Sequence, residues 1–240
     1  MKLTEQGKCK ITLPGDLQEA VFVSRLNRFV AEIDLGGRRE LAHVPSSGRM
    51  AELLYPGARI FVSTPAHPGA KLKYRILLAD RGGNLVSVDS LLPNRLVYRA
   101  LQRGSLPELS SYGVIRRESA FGHGRFDFFL GGDQGNGCYV EVKSVTLVED
   151  GVALFPDAPS ERGARHMAEL TAARREGYRA VVLLVIQRDD AHCFKPNWGR
   201  DPQFSRELSR AAAAGVEVLA RRCRVSSREV VMDGKVPVEL

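Results

Sequence analysis

Two stretches, Arg125-Phe126-Asp127-Phe128-Phe129-Leu130 and Cys138-Tyr139-Val140-Glu141-Val142-Lys143, decide how this chain is read. Side chains on a β-strand alternate between its two faces. Asp127 then shares a face with Arg125 and Phe129, while Phe126, Phe128 and Leu130 point the other way. On the second stretch Glu141 and Lys143 share a face with Tyr139, and Val140 and Val142 oppose them. The Gly-rich segment Gly131–Gly137 between the stretches reads as a hairpin loop. Centred on Gln134, it sets Asp127 opposite Glu141, seven residues either side of the centre. One face of the hairpin is expected to be apolar and the other charged.

Carboxylates facing each other across a hairpin repel, which is destabilising. A divalent cation between them removes that cost. Mg²⁺, with Mn²⁺ as its substitute, prefers carboxylate oxygens and keeps waters for reaction. Asp127 and Glu141 are therefore the expected metal ligands. Lys143, one strand repeat from Glu141, completes the expected catalytic set, because a cation there lowers the pKa of an attacking water or stabilises charge on a phosphate. A blander reading stands beside this one. Arg125 would face Lys143, the four charges could neutralise one another as a surface patch, and a D…ExK pattern recurs by chance.

Outward from the hairpin, the chain divides in texture near Leu91-Leu92-Pro93. Before it, Ala20–Val23, Arg28–Ile33, Arg39–Val44, Ala58–Ser63, Tyr74–Ala79 and Leu85–Val88 read as short strands separated by Gly- and Pro-rich turns. Five or six strands in under 90 residues predict a small closed barrel, of which the OB-fold is the commonest that binds oligonucleotides. After it, a helix from Pro93 stripes Leu92, Leu96, Val97, Ala100 and Leu101 and ends at Gly104. Strands at Val114–Ser119 and Arg125–Leu130 follow, then Cys138–Lys143. A helix runs from Ser160 as N-cap to Glu176, with Gly177 beyond. Ala180–Ile186 reads as a strand buried on both faces. A third helix, Pro202–Ala214, precedes a strand at Val216–Ala220. The expectation is a mixed α/β chain: an OB-fold-like barrel over residues 1–90, then over 91–240 the αββαβ core of the PD-(D/E)xK nuclease-like folds.

Composition bounds the partners. Lys and Arg number 35 against 28 Asp and Glu, a net charge of +7, and only eight of the 35 are lysine. Arginine forks match phosphate geometry, so the excess points to a polyanion, although genome base content alone also produces such a bias. On the second helix Arg162, Arg165 and His166 stand at i, i+3 and i+4 and could bind phosphate, with Asp157 and Glu161 beside them. The bland alternative is a solvated face with Arg165 paired to Glu169. His43, His67, His123 and His192 have no ligand spacing. The four cysteines, Cys9, Cys138, Cys193 and Cys223, are read as free thiols in a reducing cytoplasm. No apolar run reaches the roughly 18 residues of a membrane span, and Met1–Glu5 does not open a signal peptide. The expected address is cytoplasmic.

The whole chain resembles the sugar fermentation stimulation protein A family. The resemblance is carried by Arg28-Phe29, Ala42-His43, Pro56-Gly57-Ala58-Arg59, Leu92-Pro93-Asn94-Arg95-Leu96-Val97, Arg116-Arg117-Glu118, Arg125-Phe126-Asp127-Phe128, Tyr139-Val140-Glu141-Val142-Lys143, Leu154-Phe155-Pro156-Asp157-Ala158, and Glu161-Arg162-Gly163 with His166. It implies an OB-fold followed by a nuclease-like domain, DNA as partner, and a regulatory link to sugar metabolism. Two departures stand out. Val44-Pro45-Ser46-Ser47-Gly48 replaces the family's usual Cys-Pro-Asn-Thr-Gly. Asn94-Arg95 stands where many active nucleases of this fold carry a glutamate on the first helix, a part that Glu118 could take instead.

Two functions are therefore expected in competition. In the first, a largely sequence-non-specific DNA-binding protein uses Asp127, Glu141, Lys143 and Glu118 in a Mg²⁺-dependent phosphodiester site. Its nucleic-acid contacts are Arg25, Arg28, Phe29 and Arg49 on the barrel, with Arg95, Arg125, Arg162, Arg165 and His166 around the second domain. In the second, a non-catalytic regulator holds DNA in the same groove.

Overall fold

The computed structural model describes residues 9–65, 69–122, 124–132 and 136–240. His67, His123, the loop centre Gln134 and the first residues of the chain lie outside them. The described chain opens on a short strand, β1 (Lys10–Thr12), followed by β2 (Gln18–Asn27), β3 (Val30–Leu35), β4 (Arg38–His43), β5 (Arg59–Ser63), β6 (Tyr74–Arg81) and β7 (Asn84–Ser87). Strands β4-β3-β2-β5-β6 close on themselves through a β4–β6 pairing, with β7 beside β6. This is the OB-like five-stranded barrel. Strict alternation builds it: on β3, Ala31, Ile33 and Leu35 are buried, and Val30, Glu32 and Asp34 are less so. The β3–β4 hairpin turns on Gly36 and Gly37, both at positive φ, which only glycine adopts without steric cost. Asp34 Oδ1 accepts the Gly37 N–H at 2.8 Å and fastens the turn.

The second unit runs α1 (Leu92–Gln102), β8 (Val114–Phe121), β9 (Gly124–Gly131), β10 (Cys138–Val145), β11 (Val148–Glu149), β12 (Val152–Phe155), α2 (Glu161–Arg175), β13 (Arg179–Ile186), β14 (Cys193–Pro196), α3 (Pro202–Ala213), β15 (Glu217–Val225) and β16 (Glu229–Lys235). A seven-stranded sheet takes the order β1-β16-β15-β13-β10-β9-β8, with β10, β13 and β15 parallel at its centre. Each face has its own core. Val140, Val142, Val181, Leu183 and Val185 pack with Leu96 and Val97 of α1. Tyr139, Val182, Leu184 and Ile186 pack with Met167 and Leu170 of α2 and with Phe204 and Leu208 of α3. Ser160 caps α2 by accepting the Gly163 N–H at 3.0 Å, and Asp201 caps α3 by accepting that of Phe204 at 2.9 Å.

Three expectations need correction. Residues 1–90 do not form the barrel alone, because β1 pairs antiparallel with β16 and so belongs to the C-terminal sheet. That pairing spans most of the chain and leaves no local signature. The β9–β10 hairpin has no free charged face, since helices cover both sides of it. The small strands β11, β12 and β14, which form a three-stranded sheet of their own, were not foreseen in the loops they occupy.

The two units are stitched by polar contacts. Ser87 N–H donates to Gln187 O at 3.1 Å, and Ser90 N–H to Pro45 O at 3.0 Å. The buried Asp89 carboxylate takes Arg75 at 3.0 Å and Arg95 at 2.9 Å. Met50 N–H of the barrel donates to Asp157 Oδ2, in the β12–α2 loop, at 3.0 Å. All four cysteines are free and buried. Among the described residues no helix is long and apolar enough to cross a membrane.

Candidate active site

The site forms where β9 and β10 separate. Their paired residues are Leu130↔Cys138, Phe129↔Tyr139 and Phe128↔Val140, and the pairing stops there. The register agrees with the symmetric loop, and one step further it would set Asp127 opposite Glu141, but the ladder ends first. Beyond it the strands fork, and Asp127 fills the fork. Its Oδ2 accepts the backbone N–H of Val142 at 2.7 Å in place of a ladder carbonyl, and its Oδ1 accepts Asn94 Nδ2 of α1 at 2.6 Å. The fork also breaks the alternation. Phe128 stacks on Tyr98 of the α1 side at 6.2 Å between centroids. Phe126, two residues earlier, lies instead against Tyr139 and His166 under α2.

Glu141 is 4% exposed and points under α2. Its Oε1 accepts Lys143 Nζ at 2.7 Å and contacts Nδ1 of His166, which is also buried. His166 in turn lies against Arg162, Nε to Nε2 at 3.4 Å. Among the described residues Glu141 Oε2 is buried without a hydrogen-bond partner. Burial opposes ionisation of Glu141, but the His166 hydrogen bond and the Lys143 charge prevail and hold its pKa below the ordinary value. Asp127 goes the other way. Burial first and the Glu141 charge second raise its pKa to about 6, against the Val142 N–H, Asn94 and Lys143. Lys143 itself is 12% exposed at its side chain, so this is no surface patch in which charges cancel through water.

The structure thus gathers Asp127, Glu141 and Lys143, adds His166 as the group that holds Glu141, and places Asn94 on Asp127. The His166 contact depends on how α2 docks, so spacing along α2 put it only on a face with Arg162 and Arg165. Glu118 is not part of the cluster. Its side chain is 59% exposed and its nearest described partner is Arg125, 3.8 Å away. The expected opposition of Arg125 to Lys143 does not form: the β9–β10 pairing ends at Phe128↔Val140, while Arg125 pairs with Ala120 of β8 and lies near Glu118.

The barrel contacts divide as well. Arg25 spends its guanidinium on four carbonyls, those of Gly48, Arg49, Arg28 and Ser46, at 2.6–2.9 Å. It braces the Pro45–Arg49 loop, which replaces its expected phosphate role. Arg28, Phe29 and Arg49 remain exposed around that brace, and the Phe29 ring tilts over His43 at 6.4 Å. Arg95 is tied to Asp89. Arg162 and Arg165 are exposed on α2, Arg165 lying 3.8 Å from Glu169 as the bland reading expects.

Among the described residues no group of three or more His, Cys, Asp or Glu is arranged around a metal position. Two carboxylates still suit a hard divalent cation that keeps several waters or substrate oxygens in its shell. The unpartnered Glu141 Oε2 beside an Asp127 that burial and the Glu141 charge hold back from ionising is the chemistry such a cation relieves.

Comparison with known proteins covers nearly all of the chain. The family model described as the sugar fermentation stimulation protein RE domain matches residues 91–229, and the SfsA N-terminal OB domain matches residues 23–88. A sugar fermentation stimulation protein homolog of Desulforamulus reducens is 52% identical over 231 residues, 96% of this chain and 95% of its own. One from Moorella thermoacetica is 45% identical over 231 residues, 96% of this chain and 100% of its own. Among solved structures, Pyrococcus furiosus SfsA in complex with Ca²⁺ superposes with a TM-score of 0.88 at 32% identity, covering all of both chains.

Proposed function

Because the chain belongs to the sugar fermentation stimulation protein family, we propose that it binds DNA with little sequence preference and hydrolyses its phosphodiester bonds at the β9–β10 fork with a divalent cation. The observation that carries this reading is the buried Glu141 Oε2 without a partner, beside an Asp127 whose pKa is raised to about 6. The Ca²⁺ bound by the Pyrococcus furiosus relative supports a site of oxygen ligands for a hard cation. Asp127 and Glu141 would hold Mg²⁺ or Mn²⁺.

When bound, the cation would polarise the scissile phosphate and lower the pKa of a water beside it. His166 fixes one oxygen of Glu141, which orients the other. Lys143 sits 2.7 Å from Glu141, where its ammonium can stabilise charge developing on the phosphate. The exposed Arg28 and Arg49 of the barrel and Arg162 and Arg165 of α2 supply phosphate contacts, which position a strand without reading its sequence. Four buried free thiols suit a reducing cytoplasm as the place of action.

One observation favours the second reading, a non-catalytic DNA-binding regulator. Both oxygens of Asp127 already accept hydrogen bonds, from Asn94 and from Val142, so the carboxylate is satisfied in part without metal. A cleavage assay with Mg²⁺ or Mn²⁺ over several DNA and RNA structures, run beside calorimetric melting, decides. The nuclease reading expects cleavage and a melting temperature raised by the cation. Neither effect in the parent protein leaves the regulator.

A further inference from the structure

The sole tryptophan of the chain, Trp198, is 47% exposed, in a protein whose other large rings are mostly packed. It stands on the loop between β14 and α3, and that loop is fastened. Asn197 N–H donates to Phe155 O at 2.9 Å and Trp198 N–H to Pro196 O at 3.1 Å. Arg200 N–H and Asp201 N–H both donate to Asn197 O, at 3.1 and 2.9 Å. Asn197 Nδ2 holds Pro156 O at 3.0 Å. A ring carried on a fastened backbone has only its side-chain rotamers left to fix on stacking, which lowers the entropy cost of the contact.

The loop is also joined to the rest of the proposed DNA surface. Its Asp201 Oδ2 accepts Ser160 N–H at 2.8 Å, at the N-terminus of α2. Arg162 and Arg165 are exposed there, and His166 lies on the same helix about 9 Å further along its axis. The β12–α2 loop, gripped by Asn197 on one side, receives Met50 N–H of the barrel at Asp157 on the other. Next to Met50 stands the exposed Arg49, in the loop that Arg25 braces against Arg28. One hydrogen-bonded chain of loops thus runs from Trp198 and the exposed Arg200 past the α2 N-terminus to Arg49, Arg28 and Phe29. Exposed aromatic rings lie at both ends and arginines lie between. The acidic groups near Trp198 are largely engaged: Glu239 pairs with Lys195 at 2.8 Å, and Asp157 and Asp201 hold backbone amides.

We propose that the Trp198-Gly199-Arg200 loop is a base-stacking platform for single-stranded nucleic acid. The base stacks on the indole and Arg200 meets the adjoining phosphate. Stacking rings interleaved with basic side chains are what a single strand needs, and duplex bases are already stacked on one another. The inference rests on the nucleic-acid reading above and narrows its substrate to a strand that is single or splayed at this point.

Because the protein has one tryptophan, its indole fluorescence reports this loop alone. The full-length protein, metal-free and at low salt, is titrated with a fluorescein-labelled oligothymidylate, an oligouridylate and a duplex of the same length. Fluorescein anisotropy and tryptophan emission are followed together. Both single strands should quench the indole as they bind, and their relative affinities distinguish DNA from RNA as the source. Trp198→Ala should weaken single-strand binding on the order of 5- to 150-fold, the equivalent of ~1–3 kcal/mol per stacked base, while Trp198→Phe restores most of it. Binding of the oligomers with unchanged indole emission overturns the platform and leaves the DNA-binding reading intact. So does an emission change that follows protein concentration alone, which would mark a contact between copies. Quenching without any metal-dependent cleavage overturns the nuclease reading and leaves the platform intact.

Discussion

Glu108 and Asp127 are both carboxylates packed against the seven-stranded sheet, and the protein treats them in opposite ways. Burial opposes ionisation of Glu108, but Lys235 and Arg221 overcome it and hold its pKa down at about 2. Arg221 Nη2 donates to both of its oxygens at 2.6–2.7 Å, and Arg179 takes its backbone carbonyl at 2.7 Å while pairing with Glu217. In that cluster every charge is answered. At the fork, two carboxylates share one ammonium, Asp127 is pushed to about 6, and Glu141 Oε2 has no partner. The first arrangement holds β13, β15 and β16 together. The second leaves a buried oxygen unpartnered and a like charge unanswered, which is why the fork rather than the brace is the proposed cation site.

The largest expected effect separates the two clusters by function. Lys143→Ala should lower metal-dependent cleavage on the order of 10²–10³-fold, the size seen when one stabilising donor at a developing anion is removed. Metal and DNA binding should persist, because the lysine acts mainly on charge that appears in the transition state. Single-turnover cleavage beside anisotropy binding measures both. Undiminished cleavage by this variant would take Lys143 out of the chemistry.

Next comes a stability contrast. Glu108→Ala leaves Arg221 buried without its carboxylate, and breaking a buried pair in this way costs about 3–5 kcal/mol. Asp127→Asn keeps the shape and removes a repelling charge, but it also replaces one of the two oxygens that accept from Asn94 and Val142, so the metal-free variant should lose clearly less stability than Glu108→Ala at neutral pH. Urea melts of the three proteins at pH 7 test the pair. Equal destabilisation by both changes would erase the distinction drawn here.

The pH dependences should run in opposite directions. A carboxyl whose folded pKa is raised binds its proton more tightly when folded. Asp127 therefore stabilises the fold below its unfolded value, and that stabilisation is lost as pH rises through about 6. A shift of this size corresponds to about 2–3 kcal/mol. Glu108, with its pKa lowered, stabilises above its unfolded value and loses that contribution as pH falls toward 2. The stability difference between parent and Asp127→Asn should thus change between about pH 4 and 6 without metal and flatten with saturating Mg²⁺. A difference constant across that window would mean Asp127 is not under strain.

Much of this was legible along the chain because it is local. The β9–β10 register follows from a loop of symmetric length, and α2 is announced by Ser160 at one end and Gly177 at the other. The barrel strands show in the alternation of residues such as Ala31, Ile33 and Leu35. What sequence reasoning missed depends on distant partners. The β1–β16 pairing joins the two ends of the described chain, and the grip of His166 on Glu141 needs α2 already docked on β10. Arg25 carries the same side chain as Arg28 and Arg49, yet only the fold shows that carbonyls claim it. The Asn94–Asp127 bond could have been suspected from the departure at Asn94, since an amide there can donate where a glutamate cannot.

The smallest effect sharpens the comparison at a single residue type. Arg221 is nearly inaccessible and bonded to Glu108, whereas the Arg165 side chain is 63% exposed and 3.8 Å from Glu169. An exposed pair at that distance contributes little, because water screens it and two long side chains lose freedom to hold it. Arg165→Ala should therefore change stability by less than about 0.5 kcal/mol. Its effect should appear in DNA binding instead. If Arg165 neutralises one phosphate, the slope of log K against log salt should flatten by about 0.9 on duplex and about 0.7 on a single strand. The loss of affinity should be uniform across sequences, since a phosphate contact carries no base information. Affinity measured at four or five salt concentrations for parent and variant reads the slope directly. An unchanged slope with unchanged stability would return Arg165 to the solvated helix face, and the phosphate path would then have to run through Arg162 or the barrel arginines alone.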